Sequence, residues 1–152
     1  MNSGVIIIFL NNEKEIDNNE IEKLLDLDAY NVCFVNNGST DNTLHLLQDI
    51  KFKLRNKISI VDIKHEKGLK SAIKAGARSL RSESSEYDFI VYLNSNMLDY
   101  LESLNDYFTN IKANRKELTP MPSRSQRNVL KDVFSISELL KNSNANEFNV
   151  KV

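Results

Sequence analysis

Side chains that bind polar ligands follow four short apolar segments of this chain, each group directly after its segment. The four groups are Asn11-Asn12-Glu13, Asn36-Asn37-Gly38-Ser39, His65-Glu66-Lys67-Gly68 and Asn94-Ser95-Asn96. An amide both donates and accepts hydrogen bonds, so it can bind a base edge, and its carbonyl oxygen can ligate a hard cation. A lysine near the first turn of a helix can bind a phosphate or another anion. The chemistry open to these groups is therefore the binding of a polar, partly anionic ligand.

The four apolar segments predict the strands that would position these groups. They are rich in Val, Ile and Phe and show no polar alternation, which is typical of strands buried on both faces. The segments are Val5–Leu10, Asn31–Val35, Ile58–Ile63 and Phe89–Leu93. Stretches with helical spacing separate them, so the predicted order is β-α-β-α-β-α-β. Right-handed crossovers then predict an α/β fold with a three-layer, Rossmann-like, mostly parallel sheet.

The carboxyl ends of parallel strands meet at one edge of a sheet, where ligands of this fold class bind. We expect the four polar groups to gather there as one rim. Polar loops are also usual for any α/β sheet, so a polar rim by itself does not establish a binding site.

Three helices are predicted between the strands. Asp17 with Glu20 has the spacing of a cap and its partner for the first helix, and Ser39 or Thr40 is the predicted cap of the second. The apolar face of the third helix consists of Leu69, Ala72, Ile73, Gly76 and Leu80. The same stretch carries a basic stripe, which we interpret as a solvated face with only its first members near the rim: Lys67, Lys70, Lys74, Arg78 and Arg81.

Two further helices are predicted after the fourth strand. The first is amphipathic, with its apolar stripe at Met97, Leu101, Leu104, Phe108 and Ile111, and prolines interrupt the chain at residues 119–123. The last helix has Ser135 and Glu138 as a capping box and the apolar set Val129, Leu130, Val133, Phe134, Leu139 and Leu140. We therefore divide the chain into a main domain, residues 1–118, and a helical extension, residues 119–152, that packs on the same domain or on a partner chain.

Composition excludes several classes of protein. The 152 residues suit one domain, and 20 Lys and Arg against 21 Asp and Glu give a net charge of −1, which speaks against a general nucleic-acid binder. The single cysteine, Cys33, is expected in the core and excludes an internal disulfide. With two histidines, a His-based metal cluster is not expected either. No apolar run is long enough to span a membrane or has the flanks of a signal peptide, so we expect a cytoplasmic protein.

Four motifs resemble the signatures of family 2 glycosyltransferases, and they occur in the same order. Residues 35–43, V-N-N-G-S-T-D-N-T, resemble the family's V-D-D-G-S-T-D-x-T. Residues 67–76, K-G-L-K-S-A-I-K-A-G, resemble its x-G-x-x-x-A-x-x-x-G helix start. Residues 87–96, Y-D-F-I-V-Y-L-N-S-N, resemble the strand that ends in D-x-D, and Asn12-Glu13 matches the end of Y-N-E. The resemblance covers about residues 4–105.

The resemblance implies a GT-A fold, the nucleotide-diphospho-sugar transferase type of α/β sheet, shortened at its C-terminus. It also implies a nucleotide or nucleotide-sugar site at the rim, formed by Asn12, Glu13, Asn36, Asn37, Lys67 and Asn94. In the family, the D-x-D carboxylates bind Mg²⁺ or Mn²⁺, and the ion holds the diphosphate and offsets charge on the leaving phosphate. Asn96 would be the metal position of this chain.

The sequence departs from the family pattern where the family has acidic residues. Asn36 and Asn37 replace the paired aspartates, and Asn94 and Asn96 replace those of D-x-D. An amide carries no charge, so we expect a divalent ion to bind weakly and nucleotide binding to outlast metal binding. The candidate general bases after Asn96 fall mostly on predicted polar helix faces; they are Asp99, Glu102, Asp106, Glu117, Asp132, Glu138 and Glu147.

Two functions of different classes stay open. The first is a degenerate glycosyltransferase that binds a nucleotide or nucleotide sugar with little or no metal-dependent sugar transfer. The second is a non-enzymatic interaction or regulatory module that uses the scaffold as a dimerisation or partner-binding surface, through its basic C-terminal helix or a dimer face. Separately, a homodimer could cover an edge of the shortened sheet. The four amides would mark lost activity in the first case, or drift in a chain with 20 asparagines. They also count against a phosphorylated receiver domain, which needs an acidic pocket.

Overall fold

A computed structural model of the chain describes residues 2–84, 86–104, 106, 108 and 129–138. Within these residues, the strands are β1 (Ser3–Phe9), β2 (Asn31–Asn37), β3 (Ser59–Ile63), β4 (Phe89–Asn94) and β5 (Val133–Ser135). The α-helices are α1 (Glu13–Asn19), α2 (Ile21–Leu24), α3 (Thr43–Lys53) and α4 (Leu69–Glu83), and a 3₁₀ helix spans Ser95–Ser103. Residues 136–138 begin a further helical turn.

The five strands form one parallel sheet in the order β3-β2-β1-β4-β5. β1 lies at its centre, where Ile6 pairs with Cys33 of β2 and with Tyr92 of β4. One core cluster packs between the sheet and α1 to α3, around Phe9 and Phe34. The two rings pack edge to face, with 5.4 Å between their centroids. A second cluster packs between the opposite face of the sheet and α4. The predicted three-layer α/β architecture is therefore confirmed.

The four predicted strands are present, and their burial follows their place in the sheet. β1 is buried along its whole length, and Cys33 in β2 is fully buried, as expected for a core residue. Burial of the Cys33 thiol raises its pKa, because the charged thiolate would lose its hydration. β3 is only half-buried throughout, because it is at the end of the strand order. The expectation of burial on both faces therefore fails for β3.

The start of the first helix differs from the prediction. α1 begins at Glu13, so the expected cap, Asp17, lies inside the helix. Glu20 takes a left-handed conformation with φ 44°, which ends α1 and separates it from α2. The predicted single helix is therefore two short ones.

The predicted caps of the second helix are also wrong. α3 begins at Thr43 with Asn42 as the flanking residue. The hydroxyl of Ser39 instead accepts a hydrogen bond from the backbone N–H of Asn11, at 3.0 Å. Ser39 therefore binds the loop after β1 and does not cap α3.

The apolar face of α4 packs against the sheet as predicted. Ala72, Ile73, Gly76 and Leu80 are buried, whereas Leu69 at the start of the helix is 47% exposed. A Cβ on Gly76 would lie 2.7 Å from the Cγ2 atom of Ile6, so the absence of a side chain lets α4 approach β1.

The segment after β4 keeps the predicted apolar stripe, but its first part does not have the predicted α-helical geometry. Ser95–Ser103 form a 3₁₀ helix, interrupted at Met97, which has φ −112° and ψ 18°, whereas the described residues 104, 106 and 108 are α-helical. Leu101, Leu104 and Phe108 are buried, and Phe108 lies 6.1 Å from the ring of Tyr30. Ile111 lies outside the described residues.

The predicted last helix is wrong for residues 129–135, because residues 129–132 form a turn and Val133–Ser135 form β5. A pattern of two apolar residues followed by two more after a gap fits either a helix face or a turn and a buried strand. Here the unpaired edge of β4 decides, since Ile90 and Val91 pair with Val133 and Phe134. The Ser135 hydroxyl does accept the N–H of Glu138 at 3.2 Å, as the predicted capping box requires.

Arg81 fixes the turn that precedes β5. Its guanidinium donates to the carbonyl oxygens of Val129 at 3.3 Å and Lys131 at 2.6 Å. The prediction of a solvated side chain is therefore wrong for Arg81, which stabilises this turn. The described part of the extension, residues 129–138, joins the main sheet, and the predicted boundary at residues 118 and 119 lies outside the described residues.

Among the helices of the described ranges, none has the length and apolar character needed to cross a lipid bilayer.

Candidate functional site

The carboxyl ends of β1, β2 and β4 and the start of α4 enclose a pocket of about 420 Å³. Five of the residues predicted to bind a ligand line it: Asn12, Asn37, Lys67, Asn94 and Asn96. Its other lining residues are Ile8, Leu10, Glu66, Gly68, Leu69 and Ser95. Two predicted residues, Glu13 and Asn36, are outside this lining. The fold therefore brings most of the predicted rim to one cavity.

Asn11 connects the loop after β1 to the loop after β2. It has a left-handed backbone with φ 52°, a conformation that Asn tolerates better than most residues. Its side-chain oxygen accepts the N–H of Thr40 at 2.7 Å, and its own N–H donates to Ser39. Asn12 adds a second connection, because its N–H donates to the hydroxyl of Thr43 at 2.9 Å.

Asp41 strengthens the same junction. Its carboxylate accepts the N–H of Thr43 at 3.0 Å, the hydroxyl of Thr43 at 2.5 Å and the N–H of Glu13 at 3.4 Å. Desolvation by itself raises the pKa of Asp41, but the hydrogen bonds from Thr43 and Glu13 outweigh it and hold the pKa below the usual value. The role of Glu13 visible here is through its backbone, while its side chain is half-buried.

Asn37 binds the backbone of the loop after β3. Its Nδ2 donates to the carbonyl oxygen of Lys67 at 2.9 Å, and its Oδ1 accepts the N–H of Lys67 at 3.0 Å. The side chain is 5% exposed. Gly38 allows the close approach of the two loops, since it has φ +77° and a Cβ there would collide with the backbone nitrogen of Glu66. Asn37 therefore shapes the pocket by positioning Lys67.

Asn36 points to the opposite face of the sheet from Asn37. Its Nδ2 donates to Oδ1 of Asp62 at 3.0 Å, and the two residues are paired in the register of β2 and β3. Its Oδ1 is buried and has no hydrogen-bond partner among the residues that the structure describes. The side chain of Lys64 lies 2.5 Å from the other oxygen of Asp62 and, with the Asn36 amide, holds the pKa of Asp62 below its usual value despite partial desolvation.

Lys67 and Gly68 bring the start of α4 to the pocket. The first turn of an α-helix has backbone N–H groups without intrahelical partners and a positive partial charge. Gly68 flanks the first helical residue and provides no side-chain cap. Lys67 is exposed and lines the pocket, so a cation and a helix N-terminus lie together there. This corner suits an anion.

Asn94 and Asn96 line the same pocket and are both exposed. They stand where the resemblance places a divalent ion, but two neutral amides neutralise none of its charge. No group of three or more His, Cys, Asp or Glu residues with metal-site geometry occurs in the described part of the chain. The donor set of this pocket, with Glu66 as its one carboxylate, does not fit a resident Mg²⁺ or Mn²⁺ ion.

The candidate general bases that lie within the described residues are not part of the pocket lining. Asp99, Glu102 and Asp106 are exposed on the segment after β4, and Asp132 and Glu138 flank β5. Glu117 and Glu147 lie outside the described residues. His65 is exposed and does not line the pocket.

Two residues that bind side chains or loops near the pocket were not in the predicted binding set, although Asn11 belongs to the predicted polar rim. Asp62 is the one charged residue of β3, and that charge is the signal that could have identified it. Asn11 gives a weaker signal, since an Asn-Asn pair after a strand is compatible with a positive φ. The partners of both are distant in sequence, which no local pattern reveals.

The comparisons with known proteins agree with this geometry. Residues 4–134 match the family model described as glycosyl transferase family 2. No curated protein sequence matches the chain. The solved structures of Staphylococcus aureus TarS are similar in fold. TarS 1-349 aligns with a TM-score of 0.51 and 22% sequence identity, over 76% of this chain and 33% of the TarS chain. TarS 1-349 in complex with UDP-GlcNAc aligns with a TM-score of 0.52 and 23% identity, over 76% of this chain and 32% of the TarS chain.

A further TarS structure aligns with a TM-score of 0.51 and 18% identity, over 83% of this chain and 23% of the TarS chain. This chain therefore spans about a third or less of the structures it resembles. Its parallel sheet is of the GT-A type, and the family match includes every strand from β2 to β4 and most of β1 and β5. The chain thus belongs to glycosyl transferase family 2.

Proposed function

We propose that this chain is a degenerate family 2 glycosyltransferase that binds a nucleotide or nucleotide sugar without a metal ion and transfers little or no sugar. The observation that carries the proposal is the composition of the pocket. It has kept a cation and a helix N-terminus, and it has amides at the positions of the family's metal-binding acids. The proposed ligand follows the relative in complex with UDP-GlcNAc.

The anionic end of the ligand is assigned to the start of α4. Lys67 supplies a full positive charge, and the free N–H groups of the first turn add hydrogen bonds. Asn37 holds the backbone of Lys67 through two hydrogen bonds, so the base of this side chain is fixed beside the pocket. Hydrogen bonds to a charged group are worth about 1.5–3 kcal/mol each, which allows a diphosphate to bind without a bridging ion.

The polar remainder of the ligand is assigned to the amides. Asn12, Asn94 and Asn96 lie along the same pocket and each offers a donor and an acceptor. Such groups suit the hydroxyls of a ribose or a sugar. They give no general base, and the five carboxylates considered as a base that lie within the described residues do not line the pocket. Binding without transfer is the expected result.

The loops that surround the pocket support a retained binding site. Asp41 and Thr43, which stand at matching positions of the family motif, form the junction between the loops after β1 and β2. Gly38 keeps the close approach of the loops after β2 and β3. The architecture of the rim is therefore present, while the acidic side chains have changed to amides.

Calorimetric titration tests the proposal with UDP, GDP and UDP-GlcNAc, each with Mn²⁺ and with a chelator. We expect at least one nucleotide to bind with an affinity that Mn²⁺ changes by less than about twofold. Lys67→Gln should weaken diphosphate binding about tenfold or more, as expected for the loss of a charge-assisted hydrogen bond. It should leave binding of the uncharged nucleoside unchanged. Arg78→Gln is the matched control, since Arg78 is exposed further along the same helix.

Two results would contradict the proposal. Binding that strengthens tenfold or more with Mn²⁺ would mean that the amides still hold a metal, so the chain would not be degenerate in this respect. No binding by any of these nucleotides at millimolar concentration would leave only the fold of the family. That second result would favour the non-enzymatic interaction module.

A further inference from the structure

A basic and aromatic patch occupies the end of α3 and the turn that leads into β3. It consists of residues 51–57, K-F-K-L-R-N-K, and we call it the α3–β3 patch. Phe52 is 82% exposed, the highest exposure of any large hydrophobic side chain in the described residues. Lys53, Arg55 and Lys57 around it are also exposed, and Lys51 is half-buried. An exposed aromatic side chain surrounded by cations needs an explanation that the nucleotide site does not provide.

The charge of the patch is segregated from that of the rest of the chain. Four cations and no acid occur in these seven residues, in a protein whose net charge is −1. Lys53 contacts Glu22 with 3.8 Å between Nζ and Oε1. The ion pairs of the described residues do not involve Lys51, Arg55 or Lys57. Three of the four positive charges are therefore available to an external anionic surface.

The backbone holds the patch in a fixed shape. The N–H of Asn56 donates to the carbonyl of Lys51 at 2.9 Å, and the N–H of Arg55 donates to that of Phe52 at 3.1 Å. These are the two hydrogen bonds of a Schellman motif, with Arg55 in the left-handed conformation at φ 56°. Glycine is the usual residue at that position because it adopts the left-handed conformation without strain. This helix end has the charged side chain of Arg55 there instead. The backbone of the patch is therefore already ordered before any partner binds.

We propose that the α3–β3 patch binds the surface of an anionic lipid bilayer, with Phe52 inserted between headgroups and the cations bound to lipid phosphates. A hydrophobic side chain at the level of the headgroups together with basic neighbours is the chemistry of interfacial membrane attachment. Five of the seven residues are exposed, namely Phe52, Lys53, Arg55, Asn56 and Lys57, which suits a deformable and extended surface. The charge complementarity selects anionic over neutral lipid.

The attachment would set the orientation of the molecule. The α3–β3 patch lies where β3 begins, at the amino edge of the parallel sheet, whereas the pocket opens at the carboxyl edge. A bilayer bound at the patch therefore leaves the nucleotide pocket facing the solution. The proposal is independent of the proposed nucleotide binding, since the two sites share no residue.

Vesicle flotation of the full chain tests the proposal, with vesicles of phosphatidylcholine alone and of phosphatidylcholine mixed with phosphatidylglycerol. We expect binding to the mixed vesicles at low salt that declines as salt rises. Phe52→Ala should weaken it about tenfold, as expected for the loss of a partly buried aromatic group. Arg55→Gln with Lys57→Gln should weaken it about 25-fold, since each cation near an anionic surface contributes about fivefold.

A matched control removes two exposed cations elsewhere. Lys14→Gln with Arg78→Gln changes the net charge by the same amount at α1 and α4, and it should alter binding by less than about twofold. Circular dichroism of all variants should match that of the wild type. Three results would overturn the proposal: equal binding to both vesicle types, anionic binding that the patch variants leave unchanged, or no binding at low salt. The last would direct the search to an acidic protein partner.

Discussion

The side chain of Asn37 and the backbone of Lys67 form a closed pair of hydrogen bonds, with Nδ2 donating to the carbonyl at 2.9 Å and Oδ1 accepting the N–H at 3.0 Å. The amide therefore uses both its donor and its acceptor on the backbone of one residue, whose N–H and C=O belong to successive peptide groups. A carboxylate at this position accepts the N–H but has no hydrogen to offer the carbonyl oxygen. The amide is thus well matched to its surroundings, and the difference from the family's aspartate affects loop geometry as well as charge.

Replacing Asn37 by Asp is expected to destabilise the protein at neutral pH. The substitution removes one hydrogen bond and places a negative charge against the Lys67 carbonyl, at a cost of about 1–3 kcal/mol. Chemical denaturation at pH 7 measures the change, and nucleotide titration should show weaker diphosphate binding because Lys67 is displaced. Asn12→Asp is the control, as Asn12 lines the same pocket but is only half-buried. Equal effects of the two variants would contradict the special role of Asn37.

Replacing Asn36 by Asp is expected to destabilise the protein in a pH-dependent way. Asn36 Nδ2 lies 3.0 Å from an oxygen of Asp62, so the change sets two carboxylates against each other. Like charges at that distance raise the pKa of one of them, and the pair binds a proton as the pH falls. We expect a loss of about 1–3 kcal/mol at pH 7 that becomes smaller towards pH 4.

The exchange of both residues checks this interpretation. Asn36→Asp with Asp62→Asn returns one acid and one amide to the pair, and it should recover most of the lost stability in a double-mutant cycle. A double variant that is as unstable as the sum of the single ones would show that the pair does not interact. In the wild type, the pKa of Asp62 is lowered, so its ionised form favours folding above the unfolded-state pKa, and that contribution disappears as the pH falls through the lower folded-state pKa.

The elements that local pattern could predict were those with long, uninterrupted signals. The apolar runs of β1 to β4 and the apolar face of α4 identified the four strands and the alternation of strands and helices, but not the order of the strands in the sheet. β5 was missed because three residues with adjacent apolar neighbours fit a helix equally well, and the deciding fact is the free edge of β4. The start of α1 was missed because Asn11 ends the strand in a left-handed conformation, which the residue type permits but does not demand.

The candidate site shows the same division. Position at the end of a strand was enough to place Asn12, Asn37, Lys67, Asn94 and Asn96 around one pocket. It was not enough to tell Asn36 from Asn37, which point to opposite faces of the sheet and bind Asp62 and Lys67 respectively. Those partners lie 26 and 30 residues away, so side-chain direction and pairing had to come from the structure.

Gly76→Ala is expected to destabilise the contact between α4 and β1. The new methyl group would lie 2.7 Å from Cγ2 of Ile6 and 3.0 Å from Cγ2 of Val35, both in the core. Overpacking of this kind costs about 1–3 kcal/mol, which exceeds the gain of about 1 kcal/mol from helix propensity. Gly68→Ala is the matched control, because a Cβ there meets no atom within 4 Å. Thermal unfolding of both variants measures the difference, and a Gly76→Ala protein as stable as the wild type would show that α4 has room to shift.

Restoring the acidic pair with Asn94→Asp and Asn96→Asp is expected to make nucleotide binding depend on a divalent ion. Without metal, two negative charges beside the pocket should weaken UDP binding, because they repel the diphosphate. With Mn²⁺, carboxylates can neutralise and hold the ion, so UDP binding should tighten about tenfold or more relative to the metal-free variant. The wild type should show no such dependence.

The control for this restoration carries the same added charge at the other edge of the sheet. Asn31→Asp with Asn56→Asp adds two acids at exposed positions where β2 and β3 begin, far from the pocket. It should bind UDP like the wild type, with and without Mn²⁺, in the same calorimetric titration. If the restored variant gained no dependence on Mn²⁺ while still binding UDP, the diphosphate would not lie against Asn94 and Asn96. The assignment of the anion to Lys67 and α4 would then have to explain the whole of the binding, which the Lys67→Gln titration measures directly.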